Sequence, residues 1–179
     1  MLCNTEVYSC ITEMWTALPA LLEPRAAHAS CVFNTPIGVT MKSKKKNPFI
    51  ESLYVFCGVS REKNLSSIEM LNLERALNWK EIKVDCDINF WQPRSHLQAV
   101  QINDKEMVVF GSHQPSKVTF LVQPLGGSVV VSSASQSEQK VPATCYRRVA
   151  TVIRNKVAIV TENYELWFFS KGEWKSCVV

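Results

Sequence analysis

Short apolar runs of five or six residues, each broken by polar or turn-forming residues, recur along most of this chain. LYVFCG at 53–58, EMVVFG at 106–111 and KVTFLV at 117–122 are rich in β-branched and aromatic side chains. So are SVVVSS at 128–133, KVAIVT at 156–161 and ELWFFS at 165–170. Runs of this length and composition predict strands, not helices. The one stretch with helical flavour is 68–78, where the alternation Leu71-Asn72-Leu73 followed by Glu74-Arg75-Ala76 predicts a strand and then a hairpin loop. The pattern predicts an all-β chain.

A longer rhythm lies over the short one. Trp15, Trp79 and Trp174 each follow a glutamate by nine or ten residues, Glu6, Glu69 and Glu165, in the segments TEVYSC, SIEMLNL and YELWFF. A strand, turn and Trp-headed strand recurring at a period of roughly 50 residues predicts stacked four-stranded units of the β-propeller kind. Residues 5–18 supply only the last two strands of a unit, a half blade. Blade A spans 25–84, with strands at 26–33, 53–58, 67–73 and 79–84. Blade B (94–135) takes 97–102, 106–111, 117–122 and 128–132, and blade C (146–178) takes 149–153, 157–161, 165–169 and 174–178. Trp15 and Trp79 stand 64 residues apart, whereas Trp79 and Trp174 stand 95 apart, two steps of about 47. The surplus in blade A predicts an insertion over 35–51, and a tryptophan is missing near 126, where the chain reads LGGSVVVSS.

The order of landmarks resembles kelch repeats. Blade A carries PRAAHASCVF, LYVFCG, SIEMLNL and NWKEI; blade B carries PRSHLQAVQI, EMVVFG and KVTFLV; the N-terminal remnant carries EVYSCITEMWTALP. Blade C is the most degraded, with YRRVATVI, KVAIVT, YELWFF and GEW. The resemblance covers nearly the whole chain, about three and a half repeats. It implies an all-β, kelch-like β-propeller fragment of about three complete four-stranded blades plus half a blade, one partial domain over 1–179. The glycine pair that ends the second strand of a kelch repeat is reduced to Gly58 in blade A and Gly111 in blade B, and is absent from blade C. The turn there needs small residues that accept unusual φ.

Three and a half blades are too few for the usual ring, so the expectation is a piece of a longer protein or a half ring that self-associates through open edges. A small four-bladed ring with a half-built first blade is the alternative. Length and apolar content (179 residues, 46%) allow one packed domain. The net charge of +4 is accounted for by Lys42, Lys44, Lys45 and Lys46, which read as a solvated loop or as a basic patch for nuclear import or an anionic partner. No nucleic-acid partner is expected. No run reaches the ~18 apolar residues of a membrane span, and MLCNTEVYSC is not patterned like a secretory leader. Seven scattered cysteines, an odd number, fit free thiols in a reducing, cytoplasmic setting.

Chemistry-bearing residues are sparse. His28, His96 and His113 lack metal-ligand spacing, and no Cys-x-x-Cys, phosphate loop or Gly-x-Ser-x-Gly occurs. No catalytic residue, metal or cofactor is therefore expected. The expected role is a non-catalytic protein-interaction module. A propeller enzyme of the oxidase or mutarotase type is the alternative, together with an actin-associated scaffold bound through Lys42–Lys46. In kelch-type adaptors the partner sits on loops after the Pro-Arg lead-in and after the glycine turn. That resemblance implies contacts from Arg61, Asn64, Ser95, His96, His113 and Gln114, with Ala26, Ala27, His28, Ser60 and Lys63 beside them. Such groups suit a carboxylate-bearing peptide. Trp15, Arg25, Gly58, Trp79, Arg94, Gly111 and Trp174 are expected to hold the repeat together. For Arg25 and Arg94 the reading is a brace between adjacent blades through backbone carbonyls, with ligand contact the other role. Trp91 reads as a buried plug or an exposed anchor.

Overall fold

A computed structural model describes residues 3–36, 49–61, 63–75, 77–86, 91–111, 118–125, 127–134, 149–154, 156–160 and 165–177. Every regular element among them is a strand, so the chain is all-β. An N-terminal hairpin pairs β1 (Thr5–Ser9) with β2 (Met14–Leu18). A first antiparallel meander follows: β3 (Ala29–Pro36), β4 (Phe49–Phe56), β7 (Ile68–Asn72) and β8 (Lys80–Asp85). Between its second and third strands stands a small ladder of β5 (Val59–Ser60) and β6 (Lys63–Asn64). A second meander contains β9 (Leu97–Gln101), β10 (Met107–Gly111), β11 (Val118–Pro124) and β12 (Ser128–Ser133). The third contains β13 (Val149–Ile153), β14 (Lys156–Val160), β15 (Leu166–Ser170) and β16 (Glu173–Cys177).

The β3–β4 ladder runs on to Thr35↔Ile50 and Pro36↔Phe49, so the insertion expected over 35–51 is trimmed at both ends. Proline is tolerated there because β3 ends its sheet. A second difference concerns sheet edges. β8 and β12 pair in parallel (Lys83↔Ser128, Val84↔Val129, Asp85↔Val130), joining the first two meanders into one eight-stranded sheet. Two edge strands thereby satisfy backbone groups that would otherwise meet only water, and Val84 and Val129 pack into the same core.

Alternation along each strand decides where the apolar groups go. One face of the first meander (Tyr54, Phe56, Ile68, Ile82) meets Met107, Val109, Phe120 and Val122 of the second. Its other face (Val55, Leu71, Trp79) takes Leu18 and Leu21, next to the hairpin. The far face of the second meander (Val108, Phe110) meets Val157, Ile159, Phe169 and Trp174 of the third. The hairpin and the three meanders thus follow one another face to face, and β9 lies against both β3 and β13.

Two indoles close these interfaces in the same manner. Trp79 Nε1 donates to the Pro19 carbonyl (2.8 Å), and Trp174 Nε1 donates to Thr119 Oγ1 (2.9 Å). Each reaches across to, or toward, the preceding sheet. In the second meander, where the repeat lacks its tryptophan, the valines Val129 (opposite Pro124) and Val131 (opposite Val122) are buried against the first meander. Trp15 points the same way from the hairpin, but no sheet covers it among the described residues, and 67% of it is exposed.

Candidate functional site

The lead-in to the second meander is laced to the β4–β7 connection of the first. Gly58 N–H donates to the Arg94 carbonyl (2.8 Å), Arg94 N–H to the Leu65 carbonyl (2.9 Å), and His96 N–H to the Ala27 carbonyl (2.7 Å). Ala26 and Val59 exchange both backbone bonds, and Leu65 N–H returns to the Gly58 carbonyl (2.8 Å). Gly58 makes this close approach possible. It holds φ at +105°, and a Cβ there would stand 2.8 Å from the Ala26 carbonyl oxygen. Gly111 repeats the device against the His96 carbonyl, with φ +107°.

Trp91 is the buried plug of this joint. Its Nε1 donates to the Ser66 carbonyl (2.7 Å), and its ring meets Phe120 edge-on at 5.0 Å. Arg94 lies with its guanidinium 5.4 Å from the Phe120 ring centre, a cation–π contact within its own meander. Arg25 differs from the brace expected between blades. It donates to the Cys57 carbonyl (2.7 Å), to the Ser67 carbonyl (3.3 Å) and to Ser67 Oγ (3.0 Å), and ion-pairs with Glu69, all within the first meander. Glu69 completes the network by accepting the Leu22 and Glu23 N–H groups (2.7 and 3.3 Å), which ties down the chain arriving from the hairpin. A buried carboxylate is tolerable because every side of it is met by a donor.

The joint carries a polar rim. Arg61, Lys63 and Asn64 are exposed on the β5–β6 ladder, and Arg61 holds a positive φ of 54°. Glu23, Pro24, Ser60, Arg61 and Lys63 line a shallow cleft of about 410 Å³. Leu65–Arg94 bridging places this ladder beside Ser95 and His96. Ser95 is buried, and its Oγ lies 3.1 Å from Nδ1 of the half-buried His96. The structure therefore brings Arg61, Asn64 and His96 to one end of the first interface, whereas Ser95 acts from beneath His96. His113, Gln114 and the Lys42–Lys46 cluster lie outside the described residues. Sequence reasoning missed Glu23 and Pro24 as cleft walls; only the position of Pro24 beside Arg25 hinted at them.

His28 and His96 do not occupy matching places. Ala27 and His96 share the positive φ that precedes each lead strand (51° and 58°), so His28 matches Leu97 instead. Burial, with the Arg25 charge behind it, holds the His28 imidazole below its ordinary value. The buried Cys57 thiol is pushed up to about 12 by desolvation, and Cys31 to about 11 for the same reason. Cys3, Cys10, Cys31, Cys57 and Cys177 are free thiols. Among the described residues no three His, Cys, Asp or Glu side chains gather closely enough to hold a metal ion. No helix among them is long and apolar enough to cross a membrane. No protein-family model matches the chain, and no curated protein matches it either.

Proposed function

We propose that this chain is a kelch-like β-propeller segment working as a non-catalytic protein-interaction module. On this reading the three meanders are successive blades and the hairpin is half of another. Adjacency of the lead strands β3, β9 and β13, together with indoles reaching toward the preceding sheet, supports that arrangement. The partner docks at the joint between the first two meanders. The carrying observation is the backbone lacing there, Gly58 to Arg94 and Arg94 to Leu65, which makes one rigid surface out of two loops. Arg61, Lys63, Asn64 and His96 give it a cationic, donor-rich character suited to an extended peptide bearing carboxylates. The free thiols suit a reducing setting, cytoplasmic, with nuclear entry through Lys42–Lys46.

The test is affinity capture from an immobilised library of acidic and neutral peptides, followed by titration of the best binder. Reversing Arg61 and Lys63 together to glutamate should lower affinity at least tenfold and flatten its salt dependence. Unchanged binding by the reversed variant, or a library without a single acidic binder, would refute the assignment.

A further inference from the structure

The ladders show that Glu6 and Glu69 hold the same place in successive sheets. Tyr8 stands opposite Trp15 in the hairpin. Met70 stands opposite Lys80 in the first meander, so the next rung sets Leu71 opposite Trp79. Two residues back from Tyr8 is Glu6, and two back from Leu71 is Glu69. Their surroundings are opposite. Glu69 is buried, ion-paired with Arg25, and flanked by β4, whose Val55 stands across from it. Glu6 is exposed, and among the described residues its strand β1 pairs only with β2. Among the described residues the hairpin has no counterpart of β3 and β4 and no arginine paired with Glu6.

We propose that the edge of β1 away from β2 is a docking site for a β-hairpin donated in trans by a partner polypeptide. The second strand of that hairpin runs antiparallel to β1, as β4 runs against β7, and sets an apolar residue across from Glu6. An arginine about four residues ahead of its first strand, the spacing from Arg25 to Ala29, forms charge-assisted hydrogen bonds with the Glu6 carboxylate. A second copy of this chain is a poor donor, because β3–β4, β9–β10 and β13–β14 are each already built into a sheet. This site lies at the opposite face of the first meander from the loop joint, and it stands or falls separately from that reading.

The probe is a synthetic hairpin with this chain's own solution to the same problem: residues 24–36 joined through Asn-Gly to residues 49–58. Titrated into the 179-residue chain, it should shift the amide resonances of Thr5–Ser9 and leave those of β15 and β16 unmoved. Glu6→Gln in the protein, or alanine in place of the peptide's arginine, should each weaken binding about tenfold, and the two changes together should do little more. Glu6 is exposed, so the variant folds; its unchanged circular dichroism serves as the control. Absence of shifts at β1 overturns the proposal, as does binding indifferent to both changes. Sedimentation of the chain alone as a dimer that Glu6→Gln dissociates also overturns it, by giving the edge to a second copy.

Discussion

Replacing each of the three register-matched tryptophans by alanine should produce sharply unequal losses. Trp79 is 3% exposed and Trp174 7%, against 67% for Trp15. Full burial of an indole removes roughly 200 Å² from water, which at about 25 cal/mol per Å² is worth about 5 kcal/mol. Alanine keeps the β-carbon but leaves a cavity, so about 3–5 kcal/mol should be lost at Trp79 and at Trp174. Each also surrenders an Nε1–H bond, to the Pro19 carbonyl and to Thr119 Oγ1. At Trp15 only about a third of the surface is covered, part of it by Tyr8 of the same hairpin, with ring centres 5.2 Å apart. Its loss should cost about 1.5 kcal/mol or less, well under half the loss at Trp79. Urea unfolding followed by far-ultraviolet circular dichroism measures all three without relying on indole fluorescence. If Trp15→Ala cost as much as Trp79→Ala, the face of the hairpin would be covered and the stacking order described above would be wrong.

Glu69→Gln strands the buried Arg25 guanidinium and should cost about 3–5 kcal/mol in the same assay. The double variant Arg25→Met/Glu69→Leu should recover part of that loss, yet remain below wild type because the Leu22 and Glu23 N–H groups lose their acceptor. In iodoacetamide labelling of the native chain at about pH 8, read by peptide mass spectrometry, exposed Cys10 and Cys177 should be modified first. Cys57, its thiol held near 12, should react only after unfolding; early labelling of it would contradict its burial.

Much of the fold was legible because strand formation here follows local apolar runs. EMVVFG and KVAIVT carry every side chain their strands bury, and the tight alternation around Leu71 outweighed its helical neighbours. Pairings set by distant residues were not legible. Nothing near Lys83 announces Ser128 as its neighbour, since the β8–β12 ladder depends on both valines finding one core. Counting spacings also misled where hairpin loops differ in length. Phe169 stands opposite Trp174, so Trp167 takes the place of Glu69, and Glu165 falls two residues early and accepts Trp167 Nε1 instead (3.0 Å). At the candidate site, Arg61 and Asn64 were readable from their place after Gly58. The burial of Ser95 was not, because it follows from the Leu65–Arg94 bridge between two meanders.

A partner surface built from both meanders requires that joint to be one rigid body. Native-state amide hydrogen exchange tests it directly at Gly58, Arg94 and His96, whose hydrogen bonds cross between the two meanders and would be missing if the two loops were independent. These three amides should exchange more slowly than the exposed turn amides of Asp104 and Lys171 by about a thousandfold or more, and together with the strand amides of β4 and β10. Exchange at the rate of those turns, with β4 and β10 still protected, would show two separate loops and no composite surface for a partner to grip.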